Sequence, residues 1–204
     1  MANEIKIDRE LAKKVLSIVD AGLSSGLGKQ KPGEMCVEAA VCYALGLPHG
    51  DDPKCVSPAL RSLKIALNDK NWSSKAARAK GMRRLSIIQL GTMGELDDKK
   101  FVAAVAEMTI RAFVPIALRA AASMKGNAAH KDALEVAAKR CEDEGTKAAA
   151  DAAYAANAAD AAYAADAAYA KKRDSVLSQF AEAIVQILVR MGVKAADYLD
   201  LAPL

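Results

Sequence analysis

Aromatic side chains are scarce in this chain: Phe, Tyr and Trp together make up 4% of its 204 residues, and there is one tryptophan. A core short of large rings has to be filled by small and aliphatic side chains, and alanine supplies much of the 52% apolar content. Slender helices packed closely meet that condition. Cysteine is also sparse. Cys36, Cys42, Cys55 and Cys141 fall far below the density of a disulfide scaffold. Cys36 and Cys42, placed on one helix, stand roughly 9 Å apart along its axis and about 120° apart around it, too far to bridge. Reduced thiols are expected. With two histidines and separations of six, seven and six through Cys36, Cys42, His49 and Cys55, the paired close spacing of structural zinc sites is missing. No metal and no cofactor are expected. The stretch GLGKQ lacks the spacing and the Lys-Ser or Lys-Thr ending of a Walker motif, which argues against nucleotide hydrolysis.

Long hydrophobic runs are absent too, because Glu107, Arg111 and Arg119 interrupt the richest candidate, so no membrane contact is expected. The opening MANEIKIDRE has no cationic stretch followed by an apolar one, unlike a secretory signal. A cytoplasmic protein is the expectation. Nothing alternates with period two for long enough to argue a sheet.

What is present is a succession of helical patterns divided by glycine and proline. The first covers about residues 8–21, with Leu11, Val15, Ile18 and Val19 on one stripe and Asp8 as cap. A glycine-rich loop, 22–33, leads to a second helix over about 34–45, and the turn 46–54 follows. A third helix covers about 57–68. Ser73 or Ser74 caps a fourth that runs to about Leu90, and a fifth spans about Asp98 to Met124, kinked at Pro115. The pattern predicts an all-α fold: an irregular multi-helix bundle over 1–125, followed over 126–204 by a helical arm, either a long alanine-rich helix or a helical hairpin.

The arm holds the most unusual stretch. From Asp151 to Tyr169 a polar or aromatic residue interrupts alanine at every third place, within the repeat 148–170. Alanine is the strongest helix former, so this is a helical repeat. Three residues advance a helix by about 300°, so the large residues spiral around the rod and build neither an aromatic face nor a carboxylate cluster. A close-packing arm or dimerisation element is the expected role. The amphipathic segment 174–191 carries an apolar face that has to pack on something. Tyr154, Tyr163, Tyr169, Phe180, Ile184, Ile187 and Leu188 are the expected packing and oligomer residues.

Charge is uneven. From Arg61 to Arg84 there are eight basic residues against one acid, Asp69. Arg61, Lys64, Lys75, Arg78, Arg83 and Arg84 are candidates for holding an anionic partner, an acidic protein or nucleic acid. No zinc-finger spacing or aromatic stacking module accompanies them.

The densest reactive stretch is QKPGEMCVEAAVCYALGLPHGDDPKC, residues 30–55. Cys36 is expected in the first turn of its helix, where unpaired backbone N–H groups lower a thiol's pKa. Over seven residues, Gln30 ahead of Cys36 at a helix start resembles the nucleophile region of papain-like cysteine peptidases. The resemblance implies Cys36 as nucleophile, His49, or secondarily His130, as base, and Gln30 as an oxyanion donor. It does not amount to membership, since such enzymes hold the histidine on a sheet that has no counterpart here. The competing reading makes the thiols small buried hydrophobes at a helix interface. Glu38 then stands out: amid apolar residues in mid-helix, it calls for a basic partner from the third or fourth helix.

These readings converge on a non-enzymatic helical protein acting through protein–protein or self-association surfaces, as a homodimer or other homo-oligomer. A Cys36-dependent hydrolase or acyl-transfer enzyme is one alternative, and a module binding an anionic partner through 61–84 is the other.

Overall fold

The computed structural model describes residues 5–156 and 173–204. It is all-α: nine α-helices, short 3-10 segments and no strands among the described residues, with one isolated bridge between Gly28 and Met35. The helices are α1 (Arg9–Asp20), α2 (Val37–Ala44), α3 (Pro58–Asn68), α4 (Lys75–Ile88), α5 (Asp98–Met108), α6 (Val114–Ala122), α7 (Lys131–Glu144), α8 (Lys147–Ala156) and α9 (Arg173–Arg190). The chain divides into two compact units, residues 1–102 with 174–204, and residues 103–173.

Local chemistry sets the helix starts of the first unit. The Asp8 carboxylate accepts from the Leu11 N–H at 2.9 Å, and Ser74 Oγ accepts from Ala77 N–H at 3.0 Å. Ser57 caps α3, whose first residue, Pro58, has no N–H to leave unsatisfied. Along α1 the buried residues Ala12, Val15, Leu16 and Val19 recur at the helical spacing, and they pack on α2 and α4. Met82, Leu85 and Ile88 of α4 supply further core, as do Ile184, Val185, Ile187 and Leu188 of α9. Trp72 nails the α3–α4 turn onto this core. Its indole N–H donates to the Leu67 carbonyl at 3.0 Å, and its ring lies so close to Gly81 that a Cβ there would stand 2.4 Å from it.

The second unit is built on alanine. Leu118, Ala121 and Ala122 of α6, Leu134, Ala138 and Cys141 of α7, and Ala149 and Ala153 of α8 form its buried cluster. Between α5 and α6 the backbone takes a π turn, Thr109–Phe113, closed by Val114 N–H donating to the Thr109 carbonyl. The widened turn accommodates Pro115, where a simple kink was expected. Helix α7 stops at Gly145, which adopts φ 64°, and Arg111 seals that end. Its guanidinium donates to the carbonyls of Glu142 (2.7 Å), Asp143 (2.9 Å) and Glu144 (3.0 Å), satisfying acceptors that a helix terminus leaves open.

Three expectations change. The division between units falls after Val102, not at 125, and the chain returns to the first unit at Asp174, so α9 belongs to the bundle and not to an arm. Ile184, Ile187 and Leu188 are buried within this one chain and are not open to another copy; Phe180 is half-buried. The charges in the fifth helical pattern do not break it up as expected. By length and composition the continuous helix from Asp98 to Ala122 is long and apolar enough to cross a membrane, the one such helix among the described residues. Tyr163, Tyr169 and the side chain of Tyr154, with most of the alanine repeat, lie outside the described residues.

Candidate functional site

The fully buried acid–base pair of the first unit lies between α2 and α3, beside three of the buried thiols. Helix α2 starts one residue later than the thiol expected in its first turn: Cys36 is the N-cap, and its Sγ accepts from the Ala39 N–H at 3.4 Å. Asn68, at the end of α3, fixes that start through its side-chain oxygen, 3.3 Å from the Val37 N–H. The helix then places Glu38 inward, where α3 brings Lys64 to meet it. Nζ and Oε1 are 2.7 Å apart, and neither side chain exposes any surface. This is the basic partner that Glu38 called for.

Burial dominates the electrostatics. Loss of water raises the Glu38 carboxyl pKa and lowers that of the Lys64 ammonium, each opposed by the charge of the other. Arg61 and Asp51 act on Glu38 more weakly and with opposite signs. The thiols follow the same rule. Burial pushes up Cys36, outweighing the N–H groups of Ala39 and Glu38, so the expected lowering by the helix start does not occur. Cys55 is also raised by burial, and Cys42 is pushed up to about 11 by burial and then by the Glu38 charge. All four cysteines are free and buried.

The proposed catalytic trio is not assembled. His49 uses Nε2 on the Gly28 carbonyl at 3.1 Å, and its buried Nδ1 has no hydrogen-bond partner among the described residues. Neither ring nitrogen therefore holds the Cys36 thiol. Gln30 sits exposed in the 22–33 loop. Protonated, buried thiols without a base are poor nucleophiles. Two clefts, of about 360 and 310 Å³, open elsewhere and are lined by neither cysteine nor histidine. Among the described residues no group of three or more His, Cys, Asp or Glu side chains is placed to hold a metal ion.

The basic series from Arg61 to Arg84 is spent largely on the protein itself. Arg61 pairs with Asp52 at 2.8 Å, and Lys64 with Glu38. Lys75 donates to the Gly33 carbonyl at 3.1 Å. Arg78, almost fully buried, ties the Asn68 carbonyl (2.7 Å) to that of Leu23 (2.8 Å). Arg83 takes Asp20 through both oxygens and reaches the Leu201 carbonyl, while Arg84 pairs with Glu182 at 2.9 Å and donates to Ala202. Lys70, Lys75 and Lys80 are the exposed members. The sequence shows this charge but not its use as internal cross-links, because most of the partners, among them Leu23, Asp20 and Glu182, come from distant parts of the chain.

Comparison with known proteins adds no identification: no family model matches the chain, and no curated protein or solved structure is similar to it.

Proposed function

We propose that this is a non-enzymatic helical protein that works by self-association, through the outer face of the helix Asp98–Ala122. One observation carries the reading: only 17% of that helix's most apolar 18-residue stretch is buried. Within the second unit Ala106, Ala112 and Ile116 are exposed, and Met108 is half-covered. An apolar helix face of this kind gains free energy when it is removed from water. A second copy of the chain is the favoured occupant over lipid. Arg111 is committed to the α7 carbonyls and Arg119 to Glu135 and Glu142, and immersing this helix in a bilayer would strip both arginines of those partners. The buried, unpaired thiols fit a reducing compartment such as the cytoplasm.

The enzyme reading is weakened by the burial of Cys36 and the engagement of His49 with Gly28. The anionic-partner reading is weakened by the internal pairing of the arginines.

The test is light scattering coupled to size exclusion over a wide concentration range. Wild type is expected to exceed the mass of one chain, and Ala112→Glu and Ile116→Glu to return to it with unchanged helicity. A wild-type protein of single-chain mass at every concentration would refute the proposal. Salt-sensitive retention on nucleic acid by that monomer would instead favour the anionic-partner reading.

A further inference from the structure

The segment 46–56, which leads from α2 to the α3 cap Ser57, forms a strap. Its inward residues Pro53, Cys55 and Val56 are buried. It ends at Ser57, which is anchored to the Thr92 hydroxyl at 3.0 Å and to Asp98, and before that point its polar ties are few. His49 meets the Gly28 carbonyl at 3.1 Å, Asp52 meets Arg61 at 2.8 Å, and the Cys55 carbonyl accepts from Met93 N–H at 3.1 Å. The strap also carries Lys54 at φ 61°, the one non-glycine residue in the left-handed region among the described residues. That conformation costs an L-residue energy which the closed strap has to offset.

What lies next to the strap distinguishes it from an ordinary loop. Apart from the Glu38–Lys64 contact itself, buried side-chain polar atoms without a hydrogen-bond partner among the described residues collect here: Glu38 Oε2, Arg61 Nε and His49 Nδ1. The Glu38–Lys64 contact at 2.7 Å is the main compensation those two groups have for their lost water, with a weaker contribution to Glu38 from Arg61. Native cores satisfy nearly all such atoms, so a concentration of exceptions in one place marks stored free energy.

We propose that the strap 46–56 is a lid that lifts as a local unit while the surrounding helices, with the α3 cap Ser57, stay folded, and that the buried Glu38–Lys64 pair poises it to do so. Lifting lets water reach both charges, a gain that an apolar pair would not provide, and it relaxes Lys54 at the same time. The thiols of Cys42 and Cys55 become accessible in the lifted state. Cys36 stays covered, because as the α2 N-cap it moves only with the helix. The proposal is independent of self-association by the second unit.

The test is alkylation of the native protein with iodoacetamide, each cysteine resolved by peptide mass spectrometry, beside the unfolding rate read from Trp72, the single tryptophan, buried in the same unit. Cys42 and Cys55 are expected to react at least about tenfold faster than Trp72-reported unfolding, at a rate nearly independent of low urea, while Cys36 tracks Trp72. The double variant Glu38→Leu/Lys64→Met is expected to slow Cys42 and Cys55 toward the Cys36 rate. If wild-type Cys42 and Cys55 instead share the rate and urea dependence of Trp72, the strap does not move alone and the proposal fails. Should both outpace Trp72 equally with and without the charged pair, the pair is not what poises the lid.

Discussion

Glu38 and Lys64 meet at 2.7 Å with no exposed surface on either side chain, one from α2 and one from α3. Their contact makes the two residues matter more in combination than separately. Removing one leaves the other charge buried and unpaired, which costs about 3–5 kcal/mol, whereas replacing both with apolar residues of similar volume is often neutral or stabilising. Lys64→Met and Glu38→Leu are each expected to lower unfolding free energy by that amount in urea titrations followed by Trp72 fluorescence. The double variant is expected to recover most or all of it. Additive losses in the double variant would show that packing, and not the charges, holds this junction.

The thiols give the first unit a pH dependence on the alkaline side. Cys42 keeps its proton to about pH 11 when folded, against an ordinary value of 9.0. Between those values the unfolded chain releases the proton and the folded one retains it, so the folded state binds more protons and stability falls as pH rises. Below 9.0 the contribution is fully present. Cys42→Ala is expected to flatten the stability profile between these two pH values in thermal melts at fixed ionic strength, with Cys36 and Cys55 acting in the same direction. A wild-type profile that is unchanged or rising across the window would contradict the burial assigned to the thiols.

Gly81 faces the Trp72 ring, where an added Cβ would come within 2.4 Å of it and 2.7 Å of Ser178 Oγ. Alanine in place of glycine inside a helix ordinarily gains up to about 1 kcal/mol. Here overpacking dominates, and Gly81→Ala is expected to destabilise by about 1–3 kcal/mol. The indole would be displaced, so the shift should appear in Trp72 emission as well as in the melting temperature. A stabilised Gly81→Ala protein would mean that the ring has room to move.

How far the sequence foretells this arrangement depends on the distance over which each interaction acts. Asp8 and Ser74 were legible as caps because each bonds an N–H three residues ahead. The need of Glu38 for a cation was legible from its apolar neighbours, and the third helix was one of two named sources. The role of Arg78, Arg83 and Arg84 was not. Their carbonyl and carboxylate partners at Leu23, Asp20 and Glu182 are between 55 and 98 residues away, and spacing along the chain carries no sign of them. The apolar face of α9 was visible as a face needing cover, but whether the cover came from this chain or another was a tertiary question. Cys36 shows a third limit. Its helix-start position was nearly right, yet the sign of its pKa shift depended on burial, which local sequence does not report.

Arg111 provides the corresponding test in the second unit. Its guanidinium closes the end of α7 with three hydrogen bonds to the Glu142, Asp143 and Glu144 carbonyls, beside Gly145 at φ 64°. Hydrogen bonds from a charged donor contribute about 1.5–3 kcal/mol net, and a lysine ammonium cannot reproduce the planar fork that spans successive carbonyls. Arg111→Met is therefore expected to destabilise the second unit by about 2 kcal/mol or more, and Arg111→Lys to recover only part of that loss. Since the arginine acts on the last turn of α7, hydrogen exchange should quicken first around residues 141–147, with the amides of α1 and α4 unaffected. Protection retained at the α7 terminus in Arg111→Met would mean that Gly145 and its backbone bond to Cys141 are sufficient to end the helix, leaving the arginine to serve only its pairing with Glu107.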